Sequence, residues 1–231
     1  MKNEQSFLKF IAPLASEEWI LLIKNYLEIQ SFKKGSRIFN EGDSVTGIYF
    51  INLGKIKVIS HYDTKNERIL RLSHDGHMLG HRSFHLSKFN ISAVALTDVE
   101  VTFIPKDIFI KFIKGNPNFA LYLLEFMSKD LSESEERMKC MIHHEVIVRV
   151  CKIICMLIEA YGYDSKNPHK LAYTLPRDDI ANLVGTTYES VIRNLGKLDE
   201  LKLIQLDNKS IIVPDENAIR KFIAKATIKS L

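Results

Sequence analysis

Cysteine is scarce. The 231 residues hold three, Cys140, Cys151 and Cys155, and no Cys-x-x-Cys pair. So few and such clustered thiols do not build a disulfide framework. The missing pair argues against a zinc ribbon or a cysteine-held iron–sulfur cluster. Long apolar runs are also missing: no 18 consecutive apolar residues occur, so no segment is expected to span a bilayer. The opening residues, MKNEQSFLKFIAPLASEEW, lack the apolar stretch of a secretory signal, and the expected location is the cytoplasm. Strong charge of one sign is absent, with 32 Lys and Arg against 28 Asp and Glu, net +4. What remains is ample for folding: 46% hydrophobic and 26% charged residues, enough chain for two cores.

The small charge excess is uneven. Residues 147–231 hold 13 Lys and Arg against 10 Asp and Glu, whereas residues 1–146 hold 19 against 18. A C-terminal excess is expected of a part that touches phosphates.

Glycine punctuates the front half. Six of the ten glycines stand at 35, 42, 47, 54, 76 and 80. Between and after them lie short β-type runs at 37–39, 48–51, 55–60, 68–72, 92–95 and 99–104. Short strands separated by Gly and Asp turns predict an antiparallel sandwich or barrel. Before it, residues 17–29 have helical spacing, with Trp19, Leu22, Ile23 and Tyr26 on one face and Ser16 as N-cap.

After the β block the period changes to that of a helix. Asn116-Pro117 reads as N-cap and first helical residue. The stretch to His144 holds no breaker, and Leu124, Met127, Leu131, Ser134, Met138 and Met141 recur at steps of three and four. Lys129, Asp130, Glu133, Glu135, Glu136, Arg137 and Lys139 form the outer face. A narrow apolar seam with charged flanks predicts pairing with a second copy rather than packing within one domain. A second helix follows, with Ile147, Val150, Cys151, Ile154, Leu157 and Ile158 inward, ending at Gly162. Cys151 and Cys155 read as small buried hydrophobes, and residues 163–170 as a polar loop.

Residues 176–213 carry the strongest signal. Pro176 opens a short helix at 177–184. Ala181 precedes Gly185 by four residues, and Val191 follows it by six. Small residue, turn glycine and packing residue at these distances make a helix-turn-helix, with Ile180, Val184 and Leu195 completing its core. The second helix is predicted over 187–201, with Thr187, Tyr188, Glu189, Ser190 and Arg193 facing outward. Strands at 204–206 and 210–213, joined through Asp207-Asn208-Lys209, make a wing. Arg193 can donate two hydrogen bonds to guanine O6 and N7. Glu189 can accept from cytosine and hold the guanidinium. Taken alone the pair is an i,i+4 ion pair on a helix surface; within this motif it reads as DNA recognition. Lys197, Lys209 and Arg177 are candidate phosphate contacts.

The sequence resembles the Crp–Fnr family of bacterial transcription regulators from about Phe32 to Val213. The likeness rests on KGSRIFNEGD, GIYFINLGKIKV, GHMLGHRS and ISAVALTDVEVTFIP in the front half, and on LPRDDIANLVGTTYESVIRNL in the back half. The resemblance implies an α+β chain: a β-roll (jelly-roll-like) sensor at 1–115, a dimerisation helix at 116–145 and a winged helix-turn-helix at 146–231. It also implies a non-enzymatic homodimer on a two-fold symmetric DNA site that works with RNA polymerase. The candidate effector residues are Gly80, His81, Arg82, Ser83, Ile91 and Ser92.

The sequence departs from the family pattern at informative places. Members that bind cyclic AMP follow the cassette glycine, here Gly80, with a Glu for the ribose; this chain has His81. They place an Arg before a Ser-Ala pair for the phosphate; Ile91 precedes Ser92-Ala93. An isoleucine cannot neutralise a buried anion. Residues 1–30 contain no cysteine for the iron–sulfur cluster of the oxygen-sensing members. Tyr188 replaces an Arg of the cyclic-AMP members, and Asn194 stands where an apolar residue is usual. The expected effector is therefore an unidentified small molecule, neither cyclic AMP nor an iron–sulfur cluster. Three alternatives stand beside it. In one, Arg82 substitutes for the missing arginine and a cyclic nucleotide binds. In the second, haem or a metal binds at His77, His81 and His85, which with His74 fall within twelve residues. The third is a metal hydrolase at the same histidines, disfavoured because Asp75 is the run's only carboxylate.

Overall fold

The computed structural model describes residues 4–61 and 67–229. They form two compact units, Met1–Leu131 and Ser132–Leu231, whose boundary falls inside one long helix.

The first unit begins with helices α1 (Glu4–Ile11) and α2 (Glu17–Lys24) and continues through eight strands: β1 (Glu28–Phe32), β2 (Arg37–Phe39), β3 (Gly47–Leu53), β4 (Lys55–His61), β5 (Glu67–His74), β6 (Met78–Leu79), β7 (Ser92–Ala95) and β8 (Val99–Pro105). They pair antiparallel in two four-stranded sheets, ordered β1-β8-β3-β6 and β2-β7-β4-β5. Ile38, Phe39, Tyr49, Ile51, Ile56, Val58, Leu79 and Val101 fill one core cluster. Ile48, Phe50 and Met78 belong to another, packed with Phe7, Ile23 and with Phe109 and Phe112 of α3 (Lys106–Gly115). Strand β3 is thus buried on both faces, which is why it reads GIYFINL without alternation.

Helix α2 corrects the expected 17–29 helix. Ser16 caps it as predicted, its hydroxyl accepting from the Trp19 N–H at 3.4 Å, but the helix stops at Lys24. Residues 28–32 pair instead with β8, Glu28 opposite Phe103, because ladder hydrogen bonds outweigh a weak local preference. The inward residues are Trp19, Ile20 and Ile23, whereas Leu22 and Tyr26 are exposed.

Helix α4 runs Pro117–His143 and α5 runs Val146–Tyr161, closed by Gly162. The Asn116 carbonyl accepts α4's first helical bond, from Ala120. Its side chain does not cap α4; it donates to the Phe112 carbonyl at 2.9 Å and so satisfies the end of α3. In the second unit α5 buries Val150, Cys151, Ile154, Cys155, Leu157 and Ile158, and burial pushes the Cys151 thiol up to about 12. Helices α6 (Arg177–Val184) and α7 (Tyr188–Glu200), strands β9 (Gln205–Asp207) and β10 (Ser210–Ile212), and helix α8 (Glu216–Lys229) complete it. Arg220 ties α8 to α5 through Glu159 at 2.9 Å. No described helix is long and apolar enough to cross a membrane.

Candidate nucleic-acid interface and sensor site

Gly185 turns the chain between α6 and α7 in the left-handed region (φ 70°), a conformation costly for any residue with a Cβ. Ala181, Val184, Val191, Leu195 and Leu198 are buried where the helices meet. The Thr187 hydroxyl accepts from the Ser190 N–H at 3.3 Å and caps α7, so Thr187 precedes the helix expected to begin with it. Tyr188, Glu189, Arg193 and Lys197 are exposed along α7, as expected. Ser190 is not: it is 9% exposed and accepts from Asn194. Arg177 is half-buried, and Lys209 is exposed in the β9–β10 turn, where Asn208 takes φ 52°.

The expected Glu189–Arg193 ion pair is absent among the described residues. The Glu189 carboxylate instead bonds its own backbone N–H and the Thr187 hydroxyl, which hold it below the usual carboxylate range. The Arg193 guanidinium is therefore not held by Glu189. Ile192 is 43% exposed on the same face. It was not singled out from the sequence, although it lies between two outward residues.

In the first unit Gly80 (φ 82°) leads into a single 3-10 turn, His81–Ser83. Three of the sensor residues expected to face an effector are engaged elsewhere. Ser83 donates to Asn90 at 2.7 Å, Ile91 is buried in the roll core, and the Ser92 hydroxyl accepts from the Glu41 N–H at 2.8 Å and from Arg37 at 3.3 Å. His81 is 1% exposed, with Nε2 3.3 Å from Asp130 Oδ2 and its ring edge-on to Phe126. Arg82 grips both Asp130 oxygens through Nε and Nη2, and Arg71 Nη1 lies 4.0 Å from Oδ1.

Asp130 is the correction here. Expected on the outer charged face of the helix, its side chain is only 11% exposed. Burial raises its pKa, but the bonds from His81 and Arg82 and the charges of Arg71 and Arg82 hold the carboxyl well below its usual range. The signal was legible: Phe119, Leu123, Phe126 and Asp130 lie at steps of four, three and four on one helix face. Arg71 was missed because an alternating strand gives no sign of which cation is turned inward.

The histidines do not converge. His77 lies against His74 with ring centroids 4.0 Å apart and planes tilted by 40°, His81 meets Asp130, and His85 is exposed beside Phe84. Among the described residues no three His, Cys, Asp or Glu are placed to hold a metal ion.

Residues 29–116 match the family described as cyclic nucleotide-binding domain, and residues 148–222 match the Crp-like helix-turn-helix domain. The chain belongs to the Crp–Fnr family of transcription regulators. This Crp–Fnr regulator is 26% identical to a global nitrogen regulator of Synechococcus elongatus, over 92% of this chain and 95% of the relative. It is 24% identical to a CRP-like cAMP-activated global transcriptional regulator of Mycobacterium tuberculosis, over 87% and 91%. The structure of FixK2 from Bradyrhizobium japonicum shares its fold, with TM-score 0.75 and 17% identity over 84% and 96% of the two chains.

The long helix of this regulator carries a line of exposed apolar residues: Leu121, Leu124, Leu131, Met138 and Ile142, each 56–70% exposed. Leu124, Leu131 and Met138 are half of the expected seam. The other half, Met127, Ser134 and Met141, is half-buried. Met127 packs on the first unit's core, Ser134 accepts from Arg137 at 3.0 Å, and the Met141 carbonyl accepts from Arg149 at 2.9 Å.

Proposed function

We propose that this regulator is a cytoplasmic homodimer that reads a two-fold symmetric DNA site through α7 and steadies itself with the β9–β10 wing. It acts by binding, not by catalysis, and transmits the result to RNA polymerase. The observation that carries this is the division of α7: Val191, Asn194, Leu195 and Leu198 are buried, while Tyr188, Glu189, Ile192, Arg193 and Lys197 share the exposed side. Such a helix offers base-reading groups to a major groove, and Lys209 and Arg177 flank it as phosphate contacts. Pairing along Leu124, Leu131 and Met138 presents two copies of α7 and matches the exposed apolar line.

The sensor answers to an effector other than cyclic AMP. The Mycobacterium relative is named as cAMP-activated, but here Ile91 brings no charge beside Ser92, and Arg82, the candidate substitute, grips Asp130. The experiment is selection of bound DNA from a random pool. It should enrich a symmetric site whose half-sites lie about 34–36 Å apart, one helical turn. Enrichment of no sequence, or of an asymmetric one, overturns the reading. Calorimetry with cyclic AMP should show no binding at micromolar concentration.

A further inference from the structure

Helix α2 leaves two leucines in the open. Trp19, Ile20 and Ile23 pack toward the core of the first unit, while Leu21 is 67% exposed and Leu22 46%. Tyr26 and Ile29 follow at 46% and 38%. Single exposed apolar residues are ordinary. Four within nine residues make a patch, and patches on soluble proteins mark contact sites. Ile29 lies on β1, which pairs with β8 alone among the described residues and so forms the edge of its sheet.

The charges around the patch are ordered. Glu17, Leu21 and Lys24 recur at steps of four and three, so they form one line on the exposed side of α2, with the acid at one end and the base at the other. Laid antiparallel on a copy of itself, this line sets Glu17 against Lys24 of the second copy, Leu21 against Leu21, and Lys24 against Glu17. Laid parallel, it sets like charges together. A surface that complements itself on reversal is what a two-fold interface requires.

We propose that the exposed face of α2 docks on the same face of a second copy, about a two-fold axis beside Leu21. The contact uses none of the α4 seam residues. That it joins dimers, and not monomers, rests on the dimer proposed above. The patch is small beside the about 800 Å² per partner of a stable interface, so the contact is weak in solution, with a Kd on the order of 100 µM. Two dimers on adjacent DNA sites are held at an effective concentration of about 1 mM, and there the same contact makes their binding cooperative by about tenfold.

The test is sedimentation of the full-length protein without DNA, over about 10 to 500 µM. Wild type should pass from dimer to tetramer. Leu21→Ser should stay a dimer, with its urea midpoint unchanged. Glu17→Lys and Lys24→Glu should each weaken association about tenfold, because each sets like charges together at two symmetric places. Glu17→Lys combined with Lys24→Glu should restore it. That result separates pairing between copies from charge effects within the helix. A base at the start of α2 and an acid at its end both oppose the helix dipole, so the combined variant should be the least stable of the three and yet associate like wild type. In the Leu131→Asp, Met138→Asp background the same contact should appear as monomer to dimer, so failure of the α4 seam is read separately. Association indifferent to Leu21→Ser, or not restored by the double exchange, overturns the proposal. So does a wild type with no concentration dependence, which leaves the patch to a partner of another kind.

Discussion

Asn194 and Ser190 lie one turn apart on the buried face of α7, and the Asn194 amide donates a 2.7 Å hydrogen bond to the Ser190 carbonyl. The same amide lies 3.5 Å from the Ser190 hydroxyl. A polar side chain in this core is accommodated because the helix itself supplies its partner. The Ser190 carbonyl keeps its ordinary helical bond when the amide is removed. Asn194→Leu should therefore be close to neutral, whereas Asn194→Ala, which leaves a void, should destabilise by about 1–2 kcal/mol. Urea denaturation followed by far-UV circular dichroism measures both. A loss in the leucine variant as large as in the alanine variant shows that the amide itself is required.

Stability should fall on mild acidification. Burial, with the charges of His74 and Arg71, pushes His77 down to about 4, while in the unfolded chain an imidazole titrates near about 6.5. Between those values the unfolded state binds more protons, so stability drops as pH falls from about 6.5 and the loss is complete below about 4, at about 3 kcal/mol. His81 is shifted in the same direction, chiefly by burial. Asp130 acts in the same sense at lower pH: its depressed pKa stabilises the fold above the unfolded carboxyl value and ceases to as pH falls through the folded one. Trp19 is the only tryptophan and packs edge-on to Phe112, so its fluorescence reports unfolding of this unit. His77→Gln should flatten the acid limb; an unchanged limb would assign it to other groups.

Much of this was legible in the sequence, because the decisive features are local. Gly185, Ala181 and Val191 are tied together by distance along the chain, and the structure keeps that geometry. The strand runs were found because glycines and polar turns bound them. Other features depend on partners far away in sequence. Residues 28–32 form a strand only because β8 lies beside them. Asp130 turns inward only because Arg71, His81 and Arg82 await it across the sensor. Ser190 and Asn194 face inward together, whereas the sequence offered one polar residue as exposed and the other as an anomaly.

The exposed line on α4 should hold the dimer. Leu131→Asp combined with Met138→Asp places carboxylates at residues 61% and 59% exposed in the single chain. They should leave the fold intact but be intolerable once buried against a partner. Sedimentation should show a folded monomer with little affinity for a symmetric site. Met127→Asp should behave differently, lowering the stability of the first unit because Met127 packs on its core. A double variant that sediments as a dimer would place the contact elsewhere.

Arg193, Ile192 and Lys209 should separate in their effects on DNA. Arg193 is exposed and not paired with Glu189, so its fork is available to a guanine, and Arg193→Ala should remove about 1–3 kcal/mol of discrimination at one symmetric base pair. Ile192, 43% exposed beside it, has no hydrogen-bonding group and suits the methyl of a thymine. Ile192→Ser should therefore reduce the preference for thymine at the neighbouring position and leave the guanine preference unchanged. Lys209 lies exposed in the wing turn and is proposed to meet phosphate rather than a base edge. Lys209→Ala should weaken every sequence alike and lower the salt slope by about one unit. Titrating each variant against single-base changes of the selected site, at two salt concentrations, distinguishes the three. Equal loss on every sequence with Arg193→Ala would make that arginine a phosphate contact, and base reading would then fall to Glu189 and Tyr188.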